Sequence, residues 1–150
     1  MTQGTPVKPA QSDLFFDKKN TACAWIDGAS SGNPGPAGAG VVLTKDGNLL
    51  GEWKEKLGET TNNVAEYRGL LLALEKSSGL GIRSLIVYTD SELLYRQMTG
   101  IYKVRTPHIK ELYLKVQILK KRFEFFMIKH VPREENKEAD RLARRASLGK

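Results

Sequence analysis

Apolar residues are spaced in two rhythms along this chain, and the alternation between them sets out its elements. Short runs of small and β-branched residues come first. Thr21 to Ala29, Ala39 to Lys45 and Leu49 to Lys56 predict three strands. The last two are joined across Asp46-Gly47, a hairpin signal, so the three follow in antiparallel succession. A helical period begins after Thr60-Thr61-Asn62-Asn63, with Val64, Tyr67, Leu71 and Leu74 on one face, and stops at Gly79. Ser84 to Thr89 is a near-continuous apolar run, the mark of a strand buried on both faces. Asp90-Ser91 then opens a short helix that ends at Gly100. Pro107 suits the first turn of a helix whose apolar face is Ile109, Leu112, Tyr113, Val116 and Leu119. Phe123 to Val131 reads as a fifth strand. A last helix follows Pro132, with Ala139, Leu142, Ala143 and Ala146 as its stripe.

The order β-β-β-α-β-α-α-β-α predicts a five-stranded mixed sheet, three antiparallel strands then two parallel, with helices on both faces. Strands one and four are expected side by side and parallel, because the crossover between them is the right-handed kind found within one sheet. At 150 residues the chain fits one domain, expected over 21–150 and preceded by a polar, flexible tail over 1–20. No apolar run approaches the roughly 20 residues that span a bilayer. The N-terminus lacks the order of a secretory signal, so a cytoplasmic location and a monomeric state are the default expectations. The single cysteine, Cys23, has no intramolecular partner for a disulfide.

Charge adds a second layer. The formal net charge is +7, but residues 1–100 carry ten basic and eleven acidic side chains, net −1, while residues 101–150 carry fourteen and six, net +8. An excess confined to the last third points to a polyanionic partner. A membrane surface is disfavoured, since no helix combines a strongly basic face with a bulky apolar stripe.

Four acids stand at element boundaries: Asp27, Glu66, Asp90 and Asp140. Asp27 and Asp90 end the two neighbouring parallel strands, at the edge where open α/β sheets bind ligands. Each acid also has a purely structural use. Asp27 can make a turn with Gly28, and Glu66 can complete a cap with Asn63. Asp90 can cap the helix after it, and Asp140 can pair with Arg144. Four such accidents at these particular boundaries are a poor explanation. Acids gathered at one rim repel each other unless cations sit between them.

These residues carry a resemblance to type 1 ribonuclease H. Asp27-Gly28-Ala29-Ser30-Ser31-Gly32-Asn33-Pro34-Gly35-Pro36 is similar to that family's first motif and Thr61-Asn62-Asn63-Val64-Ala65-Glu66 to its second. Tyr88-Thr89-Asp90-Ser91 is similar to its third and Asn136-Lys137-Glu138-Ala139-Asp140-Arg141-Leu142-Ala143 to its fourth. The resemblance implies a ribonuclease H-like sheet and an endonuclease that hydrolyses the RNA strand of RNA–DNA hybrids, leaving a 5′-phosphate and a 3′-hydroxyl. It implies two Mg²⁺ ions, for which Mn²⁺ can substitute, held by Asp27, Glu66, Asp90 and Asp140. His130 falls where the family keeps a mobile histidine, here a proton carrier or an aid to product release. Gly28, Ser30, Asn33, Asn62, Asn63, Thr89 and Asn136 match positions implied to contact substrate. Lys103 and Arg105 stand where many members insert a basic, tryptophan-bearing protrusion that this chain lacks, and are expected to compensate through phosphate contacts. Another nuclease of the same fold, such as a junction resolvase-like protein, and a non-catalytic hybrid-binding module remain the alternatives.

The tail holds one further signal. Gln11-Ser12-Asp13-Leu14-Phe15-Phe16 resembles the short peptide by which bacterial replication and repair proteins dock on a sliding clamp, which would make Gln11, Leu14 and Phe15 partner contacts. The other reading is that the two Phe pack back on the domain.

Overall fold

A computed structural model describes residues 20–150. Its sheet runs β3-β2-β1-β4-β5, built from β1 (Ala22–Ser30), β2 (Gly35–Lys45), β3 (Asn48–Thr60), β4 (Ser84–Thr89) and β5 (Phe125–His130). β1, β2 and β3 pair antiparallel, and β4 lies parallel to both β1 and β5. The helices are α1 (Asn62–Gly79), α2 (Glu92–Met98), α3 (Pro107–Lys120) and α4 (Lys137–Ser147), with a 3-10 turn at Arg133–Glu135 before the last. The mixed sheet and its strand directions are those expected. Among the described residues, no helix is long and apolar enough to cross a membrane.

Period two in the strands divides the sheet into two faces. Ala22, Ala24 and Ile26 of β1, Val41 and Leu43 of β2, and Leu85 and Val87 of β4 form the main core with Tyr67, Leu70 and Leu74 of α1 and Val116 of α3. On the opposite face α4 buries Ala139, Leu142, Ala143 and Ala146. A Cβ on Gly38 would lie 2.5 Å from the Ala143 carbonyl, and one on Gly40 would lie 2.7 Å from that of Ala139. These two glycines let the helix backbone settle onto β2.

That packing explains the largest departure from the expected boundaries. β2 begins at Gly35 rather than Ala39, because its glycines serve the helix above instead of ending the strand. β3 continues past Lys56 to Thr60, crossing a register shift opposite Ala37 and Gly38 where Gly58 takes φ +71°. β5 starts at Phe125, since Phe123 belongs to the turn closing α3, with its N–H donating to the Lys120 carbonyl at 3.0 Å.

Candidate active site

Register puts the acids together before any side chain is considered. Ile26 of β1 pairs with Thr89 of β4, and Thr89 pairs with His130 of β5. Asp27 and Asp90 therefore leave the same edge of the sheet, one step beyond the last paired residues.

Glu66 arrives from the other side, and a glycine lets it in. Any Cβ on Gly28 would overlap the backbone of Ala65 and Glu66, so α1 starts in direct contact with β1. The Gly28 N–H then donates to Glu66 Oε1 at 2.9 Å. The alternative use of Glu66, a cap with Asn63, is not formed: Thr61 is the capping residue, its hydroxyl accepting from the Val64 N–H at 3.2 Å. Glu66 lies in the second turn, free to face the strand. Asp90 does not cap α2 either. Ser91 does so, accepting from the Leu94 N–H at 3.1 Å, while Thr89 Oγ1 accepts from the Ser91 N–H at 3.0 Å.

Asp27, Glu66 and Asp90 each offer a carboxylate oxygen within 4.8 Å of the others. Asp140, in the first turn of α4, lines the same cleft of about 650 Å³ and adds to the influences that raise Asp27. Its carboxylate also takes the one-turn ion pair, accepting from Arg144 Nε at 2.9 and 3.1 Å. Asp27 is 4% exposed and Glu66 9%. Burial first, then the charge of Glu66, pushes Asp27 up to about 10. Burial and then Asp90 raise Glu66 well above the usual carboxylate range, against the opposing pull of the Gly28 N–H and Arg133.

No Lys or Arg among the described residues makes an ion pair with Asp27, Glu66 or Asp90. An all-oxygen set of buried, mutually repelling acids without a paired side-chain cation fits a hard divalent ion.

The loop after β1 is strapped to the start of α1. Asn62 Oδ1 accepts from the Ser30 N–H and hydroxyl at 3.1 and 2.8 Å, and the Asn62 N–H donates to Asn33 Oδ1 at 3.0 Å. Gly28, Ser30 and Asn62 line the cleft. Asn63 stands beside Asn62, with its Oδ1 buried and unpartnered.

Other residues singled out from the sequence lie off the cleft wall. Thr89 is fully buried beneath the edge. Asn136 is 1% exposed, and its amide donates to the Ile26 carbonyl at 2.7 Å, tying the start of α4 to the residue before Asp27. His130 is exposed at the end of β5, its ring centroid 6.0 Å from that of Tyr95. Lys103 and Arg105 sit on the exposed loop between α2 and α3. There Lys103 lines a separate groove with Gln97, Tyr102 and Lys110. Gln11, Leu14 and Phe15 lie outside the described residues. Sequence reasoning missed Arg133 and Arg144 as cleft residues. Their signal was the basic excess of the last third.

The strand order, with acids gathered at the edge of its two central strands, defines a ribonuclease H-like protein. The reverse transcriptase-like family profile matches residues 26–146. Ribonuclease HI of Halobacterium salinarum is 38% identical over 87% of this chain and 66% of its own length. The crystal structure of RNase H1 from that archaeon shares 37% identity at TM-score 0.84, covering 87% of this chain and 99% of that one. LC11-RNase H1, solved in complex with an RNA/DNA hybrid, shares 43% identity at TM-score 0.81, over 85% of this chain and 97% of that one. The chain belongs to the type 1 ribonuclease H family. A bifunctional protein of Mycobacterium tuberculosis is 47% identical over 78% of this chain, which spans 33% of that relative's length.

Proposed function

We propose that the protein is a metal-dependent endonuclease that hydrolyses the RNA strand of RNA–DNA hybrids, leaving a 5′-phosphate and a 3′-hydroxyl. The observation that carries this is the cluster of Asp27, Glu66 and Asp90 in an open cleft. The likeness to LC11-RNase H1, bound to an RNA/DNA hybrid, supports the substrate.

Asp27, Glu66 and Asp90, with Asp140 on the same cleft wall, would hold the two ions that the family resemblance implies. Oxygen-only donors suit Mg²⁺, with Mn²⁺ a substitute. When bound, the ions supply a nucleophilic water and neutralise the charge on the departing 3′-oxygen. The chain's own part is positional. The Gly28 N–H fixes Glu66, and the strapped loop of Ser30, Asn33 and Asn62 presents polar groups to a wide, shallow groove in which 2′-hydroxyls distinguish RNA from DNA. Arg133 and Arg144 offer cations to flanking phosphates across the cleft. His130 carries protons or assists product release from the rim, and Lys103 and Arg105 bind phosphates farther out.

The deciding experiment offers labelled RNA–DNA hybrid, duplex DNA and duplex RNA, each with Mg²⁺ and with chelator. Cutting of the hybrid's RNA strand alone, lost with chelator and in Asp90→Asn while hybrid binding persists, is the expected result. Cleavage of duplex DNA would favour a resolvase-like nuclease, and binding without cleavage a hybrid-binding module. We further propose a cytoplasmic monomer. Docking on a sliding clamp through Gln11, Leu14 and Phe15 rests on the motif resemblance. A peptide of residues 9–18 should bind a bacterial clamp, and its failure to bind would remove that partner.

A further inference from the structure

Five ion pairs form among the described residues, and one of them stands in the acidic cleft. It joins Asp140 to Arg144, one turn apart on α4, and both partners line the cleft wall. Both carboxylate oxygens of Asp140 accept from Arg144 Nε, at 3.1 and 2.9 Å. The other three acids are arranged differently. Asp27, Glu66 and Asp90 bring oxygens within 4.8 Å of one another, and Asp140 lies outside that set. None of the three makes an ion pair with a described side chain, and neither does Arg133, the second arginine of the cleft. Three acids are thus left bare and the fourth is latched.

The latch is a weak one. Arg144 is exposed and Asp140 half-buried, and a one-turn pair so placed stabilises little, which makes it exchangeable. It still opposes a divalent ion at the same carboxylate, in two ways. The guanidinium engages both oxygens, and it sets a positive charge beside the place where the ion must sit. A phosphate is the competitor best able to open the latch, because a guanidinium meets phosphate oxygens through paired, charge-assisted hydrogen bonds.

We propose that Arg144 is a positioning residue that holds Asp140 back from divalent ions until a substrate phosphate draws the guanidinium away. The device rests on the cleft being a site of hybrid cleavage. Ion binding at Asp140 and hybrid binding then strengthen each other, as linkage requires. In the free protein Asp27, Glu66 and Asp90 are the acids open to an ion, and Asp140 joins them once the hybrid is seated.

Titration of Mn²⁺ into the hybrid-free full chain, with unbound ion counted by electron paramagnetic resonance, reads the latch without any turnover. Arg144→Gln should half-fill its weaker ion position at about fivefold less Mn²⁺ than the parent, the upper range for an exposed pair. Arg144→Lys keeps the charge and should stay close to the parent. Arg141→Gln removes the same charge from a pair with Glu138 outside the cleft, and should bind as the parent does. A second arm measures hybrid affinity in chelator against salt, where Arg144→Gln should lower the log–log slope by about one. Identical Mn²⁺ curves for the parent and Arg144→Gln would overturn the proposal, as would an equal shift in Arg141→Gln or an unchanged salt slope. A parent that binds neither Mn²⁺ nor hybrid would overturn the reading of the cleft itself, and the latch with it.

Discussion

Asp27→Asn should make the metal-free protein more stable, and the gain should grow with pH. Asp27 is nearly fully buried, and its carboxyl is raised from its ordinary 3.8 to about 10, by burial first and the charge of Glu66 second. A group whose folded pKa is raised leaves stability intact below the unfolded value and removes it progressively as pH climbs towards the folded one. At pH 7 this covers about three pH units, and at about 1.36 kcal/mol each it amounts to about 4 kcal/mol. Glu66 shares the repulsion, so an amide at position 27 recovers on the order of half, about 2 kcal/mol. For a chain of this size that corresponds to about 4–8 °C in Tm. The assay is thermal unfolding of both proteins in chelator at acid, neutral and mildly alkaline pH. The curves should converge near pH 4 and separate as pH rises through neutrality. Adding Mg²⁺ should narrow the gap by stabilising the parent more than the variant. A Tm for Asp27→Asn at or below the parent's at alkaline pH, or a difference indifferent to pH, would refute the electrostatic account of the site.

Three further outcomes follow from single contacts. Gly28→Ala places a methyl against the backbone of Ala65 and Glu66, only 2.5 Å from the Ala65 carbonyl. It should cost about 1–3 kcal/mol in chemical denaturation and depress turnover with it. Asn136→Ala strips the Ile26 carbonyl of its buried partner. It should lower stability by about 1–3 kcal/mol and reduce the hybrid cleavage rate, because Ile26 precedes Asp27. His130→Ala, at an exposed strand end, should slow turnover without abolishing it and leave the melting curve in place. An unchanged rate would reduce the histidine to a surface residue.

Much of this fold was legible because the chain's two rhythms are clean. The apolar stripe read for α4 is the one buried, and the run from Ser84 to Thr89 is an interior strand between β1 and β5. The reading failed where a residue serves a neighbour that periodicity cannot see. Gly38 and Gly40 look like loop residues until the α4 backbone is laid against them. Asn136 was read from its motif alone, which gave no sign that its amide N–H donates to a carbonyl 110 residues earlier in the chain. No local pattern carries that information, because the partner is set by the sheet's closure over the helix.

The acids expose the same boundary from the other side. Taken one at a time, each had a sound local use. The structure denies two of those uses, since Thr61 and Ser91 perform the capping that Glu66 and Asp90 could have performed. The Arg144 pairing of Asp140 is real, yet it coexists with a place on the cleft wall. A local cap would have used up the carboxylate at the surface. Assigning that work to hydroxyl side chains leaves Glu66 and Asp90 free to crowd Asp27, at a cost in apo stability that the fold's core has to offset. Such an arrangement persists where charge density is itself what the site requires. Relief by a bound cation is then built into the geometry, and the pH-dependent gain in Asp27→Asn is the measurable trace of the strain that relief removes.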